Sequence, residues 1–241
     1  MHAQPSSALP KKALGKAIQG AIESKRHRNQ PFTDYRKFIQ HHYDGIAGKL
    51  TRVSGFFSGH DALAGKVFKP KAFDLSACHA ILDAGCGDGR YTRHILRRAA
   101  PHAVIAAFDL SRRMLVRARR RLKNSPRVQH VSADLTRLPY PDGFFDEVVC
   151  GWVLEHLPDP LPGLRELARV LQPGGKMLLM TTEDTFAGSM CSSVWHCRTY
   201  NRAELSRACL ECGLQWVRPL YFTTLHRLFK LGGIVVELRR G

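Results

Sequence analysis

Small and acidic residues in the run Asp83-Ala84-Gly85-Cys86-Gly87-Asp88-Gly89 carry the clearest chemical signal in the sequence. Apolar residues precede the run and an amphipathic segment follows it, which predicts a strand, a tight turn and the start of a helix. Glycines at alternate positions permit positive φ angles and let the backbone approach a ligand closely. The free N–H groups at the start of the helix would point at that ligand. The run therefore predicts a ligand-binding turn.

The spacing of the glycines argues against a dinucleotide site. The dinucleotide fingerprint is G-x-G-x-x-G and it binds a pyrophosphate. This turn reads G-x-G-x-G, with Asp88 inside it and Asp83 just before it. Two carboxylates repel a pyrophosphate but suit a ligand that carries positive charge and hydroxyl groups. A nicotinamide-dependent oxidoreductase is therefore disfavoured.

Three successive predicted strands end on aspartate, at Asp83, Asp109 and Asp134. In a doubly wound sheet the ligand lies outside the carboxyl ends of the strands, so these acids should face one crevice. Asp109 is placed to accept both ribose hydroxyls, and Asp134 can accept from an exocyclic amine. Leu110 and Leu135 can flank a flat ring. One adenosine would account for these residues together, which leaves the glycine turn for a cationic or zwitterionic tail.

The elements that must position these acids alternate between strands and helices. Seven strand-like runs are separated mainly by helical patterns such as residues 112–123 and 161–171. This alternation predicts an α/β, Rossmann-like, doubly wound sheet of seven strands that is mostly parallel. The last two runs, at 214–221 and 234–238, predict an antiparallel pairing at the sheet edge.

Three segments are predicted along the chain. Residues 1–30 form a basic tail with a short amphipathic pattern, which suits a mobile tail, contact with an anionic membrane, or a transit peptide. Residues 31–72 carry apolar and aromatic residues every three or four positions, broken by glycines, and predict a helical cap. Residues 73–241 form the α/β domain.

Several motifs, in order and at typical spacing, resemble the class I S-adenosylmethionine-dependent methyltransferases. They are ILDAGCGDG at 81–89, FDLS at 108–111 followed by Met114, Ala133-Asp134, LPYPDGFFD at 138–146, LEHL at 154–157 and RVLQPGG at 169–175. Within that family the sequence is most similar to the broad branch that includes the quinone-biosynthesis methylases. The resemblance covers about residues 75–185 and identifies residues 73–241 as an S-adenosylmethionine-binding domain.

The resemblance implies S-adenosyl-L-methionine as the cofactor. The methionine part would lie on the glycine turn, with Asp83 near its amino group, and Asp109 and Asp134 would hold the ribose and the adenine. Two residues after the fourth strand would face the reacting centre, and an aromatic residue of the cap would close over the methionine end. The implied cofactor-binding residues are Asp83, Gly85, Cys86, Gly87, Gly89, Asp109, Leu110, Met114, Asp134, Leu135, Gly151, Trp152 and Tyr43.

The implied reaction is in-line transfer of a methyl group from the sulfonium to a nucleophile. The leaving thioether needs no acid, so the protein must mainly align donor and acceptor and exclude water. A base is required only if the acceptor loses a proton. His156, just after the fourth strand, is the candidate base, and the alternative is a structural role in its Glu-His-Leu-Pro loop.

Cys191, Cys197, Cys209 and Cys212 together with His196 raise the alternative of a zinc site. Cys209 and Cys212 fall inside a helical pattern, where cysteines three residues apart commonly pack in the core. Turns typical of zinc knuckles are absent, so no metal is expected.

A net charge of +17 predicts a surface that attracts polyanions or anionic lipid. We expect a small-molecule or lipid acceptor with peripheral contact to an anionic membrane, and RNA is the alternative that uses the same charge. The fourth strand continues into Cys150-Gly151-Trp152-Val153 and lacks the Asn/Asp-Pro-Pro-Tyr motif that accompanies methylation of base amino groups, so DNA is not expected. A non-catalytic cofactor-binding module is the alternative of another class.

The seven cysteines are unevenly spaced and predict reduced thiols. No run approaches the roughly 20 apolar residues of a spanning helix. A cytoplasmic location, with peripheral membrane contact, is therefore expected.

Overall fold

The computed structural model describes residues 31–44, 65–69, 71–229 and 233–241, together with Gln19 and Ile22. The predicted basic tail at 1–30 lies outside the described residues except at Gln19 and Ile22. Residues 45–64 of the predicted cap also lie outside them. The proposed division into tail, cap and domain therefore stays a prediction.

Seven strands form one sheet in the order β3-β2-β1-β4-β5-β7-β6. Their bounds are β1 Ala80–Ala84, β2 Val104–Asp109, β3 Val128–Ser132, β4 Phe145–Gly151, β5 Leu171–Thr181, β6 Leu214–Pro219 and β7 Ile234–Arg240. Strands β1 to β5 pair in parallel, and β7 pairs antiparallel with both β5 and β6. The predicted Rossmann-like, mostly parallel sheet with antiparallel pairing towards its edge is confirmed.

Helices connect the strands and cover both faces of the sheet. They are α1 Phe32–Asp44, α2 Arg90–Arg98, α3 Arg112–Arg121, α4 Leu161–Val170, α5 Phe186–Trp195, α6 Arg202–Glu211 and α7 Thr224–Phe229, with a 3-10 turn at Leu154–His156. Ser111 begins α3, since its side chain accepts a hydrogen bond from the Met114 N–H at 3.1 Å. Helix α5 was not expected from the sequence because its small residues give no clear apolar stripe; the Thr185 side chain caps it.

The core lies on both faces of the sheet. In β1, Leu82 and Ala84 belong to one buried cluster, whereas Ile81 belongs to the other. The neighbouring strands divide their side chains in the same way, which explains their continuous apolar runs. Because both faces are covered, a polar ligand can reach the sheet only at its strand ends.

Within the described residues, none of the helices combines the length and apolar character needed to cross a membrane.

Candidate functional site

The glycine turn between β1 and α2 has three left-handed residues, with φ angles of +67° at Gly85, +54° at Gly87 and +81° at Gly89. A Cβ atom at Gly85 would lie 2.3 Å from the Val153 side chain, and one at Gly89 would lie 3.0 Å from Ala118. A Cβ atom at Gly87 would meet nothing within 4 Å. Gly85 and Gly89 are therefore required by packing inside the protein, and Gly87 is the member of the three beside which a ligand has room.

The end of β2 is tied to this turn through Asp109. The Gly87 N–H donates to Asp109 Oδ2 at 2.8 Å, and the Ser111 N–H donates to Oδ1 at 2.8 Å. The Cys86 N–H donates to the Phe108 carbonyl at 2.8 Å. Two backbone donors thus fix the direction of the Asp109 carboxylate. The Cys86 thiol is buried, and burial raises its pKa well above the ordinary value, so it is a neutral packing group.

Asp83, at the end of β1, is an internal group. It exposes 2% of its surface and accepts a hydrogen bond from Thr92 Oγ1 on α2 at 2.5 Å. Burial raises the pKa of Asp83 to about 7, the hydrogen bond from Thr92 lowers it, and the neighbouring Asp109 adds to the rise. Asp83 therefore links the first strand to the first turn of α2 below the glycine turn.

Asp88, inside the glycine turn, pairs with an arginine of the protein. Arg121 of α3 contacts Asp88 Oδ2 through Nη2 at 2.5 Å, and its Nε donates to the Asp88 carbonyl at 2.9 Å. An arginine of the protein therefore balances the Asp88 charge. The argument from sequence that Asp88 repels a pyrophosphate is weakened, and Asp88 instead fastens the turn to α3.

Asp134, just after β3, is held by the cap helix and by its own loop. Its Oδ1 accepts from Tyr35 Oη at 2.9 Å and from the Thr136 N–H and Oγ1, both at 2.8 Å. Arg36 Nε lies 2.5 Å from Oδ2, which is an ion-pair distance. Among the described residues Arg36 is the ion-pair partner of this buried oxygen, which has no further hydrogen-bond partner there. Burial opposes the charge on Asp134, yet the hydrogen bonds from Thr136 and Tyr35, with Arg36, outweigh it and lower the pKa.

Two of these observations test the fit of an adenosine-containing cofactor. Asp134 Oδ2 is a buried acceptor that an exocyclic amine would satisfy. The open space beside Gly87 would admit the tail of the ligand. Leu135 is buried and Leu110 is half-buried next to the same strand ends, and Met114 is buried in the first turn of α3. The described residues at these strand ends therefore fit an adenosine-containing cofactor.

Trp152, after β4, is held in a left-handed conformation with φ of 61°. Its N–H donates to the Met180 carbonyl, and its indole Nε1 donates to Tyr91 Oη, both at 2.9 Å. A Cβ atom at Gly151 would lie 2.9 Å from the Met180 side chain and 3.5 Å from Tyr91. A left-handed tryptophan is uncommon, and such residues cluster at functional sites. The structure thus adds Tyr91, two residues beyond the last glycine of the turn, to the predicted pair.

Next to the predicted base lies a buried carboxyl group that sequence reasoning missed. His156 ends the 3-10 turn and is half-buried. Glu155 exposes 3% of its surface and accepts hydrogen bonds from Thr181 Oγ1 and Thr182 Oγ1, both at 2.8 Å. Burial raises the pKa of Glu155 to about 7, although the two hydroxyl groups lower it. The catalytic role of His156 stays a prediction.

Two remaining predictions concern the cap and the cysteines. Tyr43 lies in α1, but its side chain is outside the described part of the structure. Cys209 is buried within α6 and Cys212 ends that helix, so the helical pattern expected there is confirmed. In the described ranges, no group of three His, Cys, Asp or Glu residues is placed to hold a metal ion.

A family model and curated relatives match the part of the chain that forms this site. The family model described as "Methyltransferase domain" matches residues 82–179. The demethylmenaquinone methyltransferase of Clavibacter sepedonicus is 36% identical over 138 residues, which are 57% of this chain and 55% of that protein. The chain spans about half the length of the curated relatives it matches.

Solved structures of methyltransferases share the fold. The mitomycin 7-O-methyltransferase has a TM-score of 0.70 at 20% identity, and the match covers 95% of this chain and 68% of that chain. The geranyl diphosphate C-methyltransferase of Streptomyces coelicolor A3(2), in complex with Mg²⁺, geranyl-S-thiolodiphosphate and S-adenosyl-L-homocysteine, has a TM-score of 0.58 at 16% identity, covering 70% of this chain and 72% of that chain.

Proposed function

We propose that this chain, whose residues 82–179 belong to the class I S-adenosylmethionine-dependent methyltransferases, transfers a methyl group to a small-molecule or lipid acceptor. One observation carries the proposal. The glycine turn, Asp109 and Asp134 lie at the ends of β1, β2 and β3, and the Gly87 N–H binds the Asp109 carboxylate directly. When bound, S-adenosylmethionine supplies an electrophilic methyl group on its sulfonium.

The chain's own residues position the two reactants. Gly85, Gly87 and Gly89 shape the turn that receives the methionine part, with Asp83 below it. Two backbone N–H groups hold the Asp109 carboxylate in one orientation. In that orientation it would accept from the ribose hydroxyl groups. Asp134 presents Oδ2 to the adenine amine, and Leu110 and Leu135 flank the ring.

The acceptor side is formed by residues after β4. Trp152 is held rigidly by Tyr91 and Met180, and it lies beside Gly151 at the fourth strand end. A rigid aromatic wall is suited to aligning an acceptor and excluding water. Where the acceptor must lose a proton, His156 is the proposed base.

A quinone-type or other lipid acceptor at an anionic membrane is the finer proposal. The relative from Clavibacter sepedonicus is named for a demethylmenaquinone. Between Arg90 and Arg127 the sequence has Asp109 as its single acidic residue. Exposed arginines on α2 and α3 form a basic surface, which we define as Arg97, Arg98, Arg112, Arg119 and Arg120. Such a surface attracts anionic lipid headgroups.

Cofactor binding tests the central proposal. Calorimetry should show binding of S-adenosylmethionine and no binding of a nicotinamide dinucleotide, and an absence of the former would disprove the proposal. The Asp109→Ala variant should remain folded by circular dichroism and lose about 100-fold in affinity, because a carboxylate that accepts both ribose hydroxyls would be removed. Trapping a tritiated methyl group in cell extract would then identify the acceptor, and binding without any transfer would indicate a non-catalytic module.

The basic surface has its own test. Vesicles with anionic headgroups should sediment the protein at low salt, and the double variant Arg119→Gln with Arg120→Gln should reduce that binding. Matched RNA retention in the same buffer is the comparison. Preferential retention on RNA would redirect the proposal to an RNA acceptor, and binding to neither would leave a soluble metabolite.

A further inference from the structure

The acid predicted to bind adenine is also the point that fastens the cap helix α1. Tyr35 and Arg36 both contact Asp134, from positions 99 and 98 residues earlier in the chain. The two carboxylate oxygens have different surroundings. Oδ1 receives three hydrogen bonds, from Tyr35 and Thr136, whereas Oδ2 meets, within the described part of the chain, only the ion-pair contact with Arg36.

Tyr35 is a fixed part of the protein interior. It exposes 3% of its surface, and its ring packs edge-on against Phe32 with the ring centres 5.5 Å apart. Its hydroxyl group therefore holds Asp134 Oδ1 in one direction. Removing that hydroxyl group would leave Oδ1 held by Thr136 alone and so weaken the orientation of the carboxylate.

Arg36 reaches the other oxygen from the solvent side. Its side chain is 52% exposed, and its Nε lies 2.5 Å from Oδ2. Arg36 also donates a 3.3 Å hydrogen bond from Nη2 to Thr136 Oγ1. Because the Arg36 side chain is more than half exposed, water can solvate its guanidinium group once it leaves Oδ2, so a ligand can displace it at a lower cost than a fully buried partner.

We propose that Tyr35 and Arg36 act in opposite directions on an adenine site at Asp134 Oδ2: Tyr35 orients the carboxylate for the ligand, and Arg36 occupies the place that the ligand's amino group takes. This inference rests on the proposed function, since it needs an adenosine cofactor. Tyr35 and Arg36 are then positioning and competing residues, not catalytic ones.

Two substitutions should change ligand affinity with opposite signs. The probe is S-adenosylhomocysteine, which lacks the sulfonium charge, and the readout is the dissociation constant from calorimetry. Tyr35→Phe keeps the packed ring but loses the donor to Oδ1, so affinity should fall about three- to ten-fold. Arg36→Ala removes the competitor at Oδ2, so affinity should rise about two- to five-fold.

Two controls separate this effect from general charge. Lys37 is the exposed neighbour of Arg36 on α1, and Lys37→Ala should leave the affinity unchanged. S-inosylhomocysteine carries an oxygen where adenine has the amino group, so it cannot donate there to Oδ2. The gain from Arg36→Ala should therefore vanish with this analogue.

The outcomes that overturn the inference are distinct from failure of the proposed function. A wild-type protein that binds no S-adenosylhomocysteine would refute the function itself. Binding by the wild type with equal or weaker binding by Arg36→Ala would refute the competitor role, as would an equal gain from Lys37→Ala. Unchanged affinity in a Tyr35→Phe protein with a native circular dichroism spectrum would refute the orienting role.

Discussion

The acids at the outer strand ends and those at the central strand ends meet different environments. Asp109 ends β2 and Asp134 follows β3, and both accept hydrogen bonds from backbone N–H groups. Asp134 also accepts from the hydroxyl groups of Tyr35 and Thr136. Asp83 in β1 and Glu155 after β4 are buried and accept from threonine hydroxyl groups. The pKa of Asp134 is lowered, whereas the pKa values of Asp83 and Glu155 are raised to about 7.

The difference in pKa follows from the balance between burial and the groups around each acid. Burial disfavours the charged form of all three acids. At Asp134 the hydrogen bonds from Thr136 and Tyr35, together with Arg36, outweigh burial. At Asp83 and Glu155 burial raises the pKa more than the threonine hydroxyl groups lower it. The outer acids are thus suited to holding ligand hydroxyl and amino groups, and the central acids to internal linkage.

The glycine turn connects the two regions, and a substitution in it should have the largest effect on the free energy of unfolding. Gly85→Ala places a Cβ atom 2.3 Å from Val153 on the central side, at a φ of +67°. Overpacking and strain together should lower the free energy of unfolding by about 3 to 4 kcal/mol. Gly87→Ala meets nothing within 4 Å, so it should cost only about 1 kcal/mol from its positive φ. Denaturant titration measures both, and equal losses would remove the contrast.

Cofactor binding by the same pair of variants sharpens the contrast further. Gly87 borders the open space and donates to Asp109, so the Gly87→Ala protein should be stable but bind S-adenosylmethionine more weakly. Retained wild-type affinity in that variant would show that the ligand does not approach Gly87.

Glu155 should impose a pH dependence on stability. Its ordinary pKa of 4.5 is raised to about 7 in the folded protein, so between these pH values the native state binds more protons than the unfolded state. The free energy of unfolding should therefore fall as pH rises from about 4.5 to 7, by on the order of 3 kcal/mol for this group. The loss should level off above pH 7.

Glu155→Gln should make that profile shallower in denaturant titrations at pH 5, 6, 7 and 8, while the raised pKa of Asp83 keeps part of the slope. Glu211→Gln is the control, because Glu211 is an exposed residue paired with Arg165, and its profile should match the wild type. An unchanged slope in Glu155→Gln would contradict the raised pKa.

The smallest expected effect on stability comes from substitutions of two threonines. Thr92→Val removes the donor to Asp83, so the pKa of Asp83 should rise further, and the loss of stability should be about 1 to 2 kcal/mol at pH 8 and smaller at pH 5. Thr136→Val removes one donor from Asp134, which keeps its backbone donor, and its cost should not vary between pH 5 and 8. Similar pH dependence in the two variants would erase the distinction between outer and central acids.

Much of this site was predictable because its determinants are local. The left-handed Gly85, Gly87 and Gly89, the strand before them and the helix after them all follow from residues that adjoin in sequence. The positions of Asp109 and Asp134 follow from strand periodicity alone. The partners of the acids were not predictable, since Arg121 reaches Asp88 from 33 residues away and Tyr35 reaches Asp134 from 99 residues away.

Local backbone preference and apolar periodicity specify the alternation of strands and helices, the turn with its glycines and the acids at the strand ends, so these features follow from the sequence. The burial of each acid and the shift of its pKa depend on how the chain folds. Burial and hydrogen-bond donors come from elements distant in the chain, as when Thr181 and Thr182 of the β5 end enclose Glu155. The same reason applies to Asp134, whose two oxygens differ because α1 folds over one edge of the sheet.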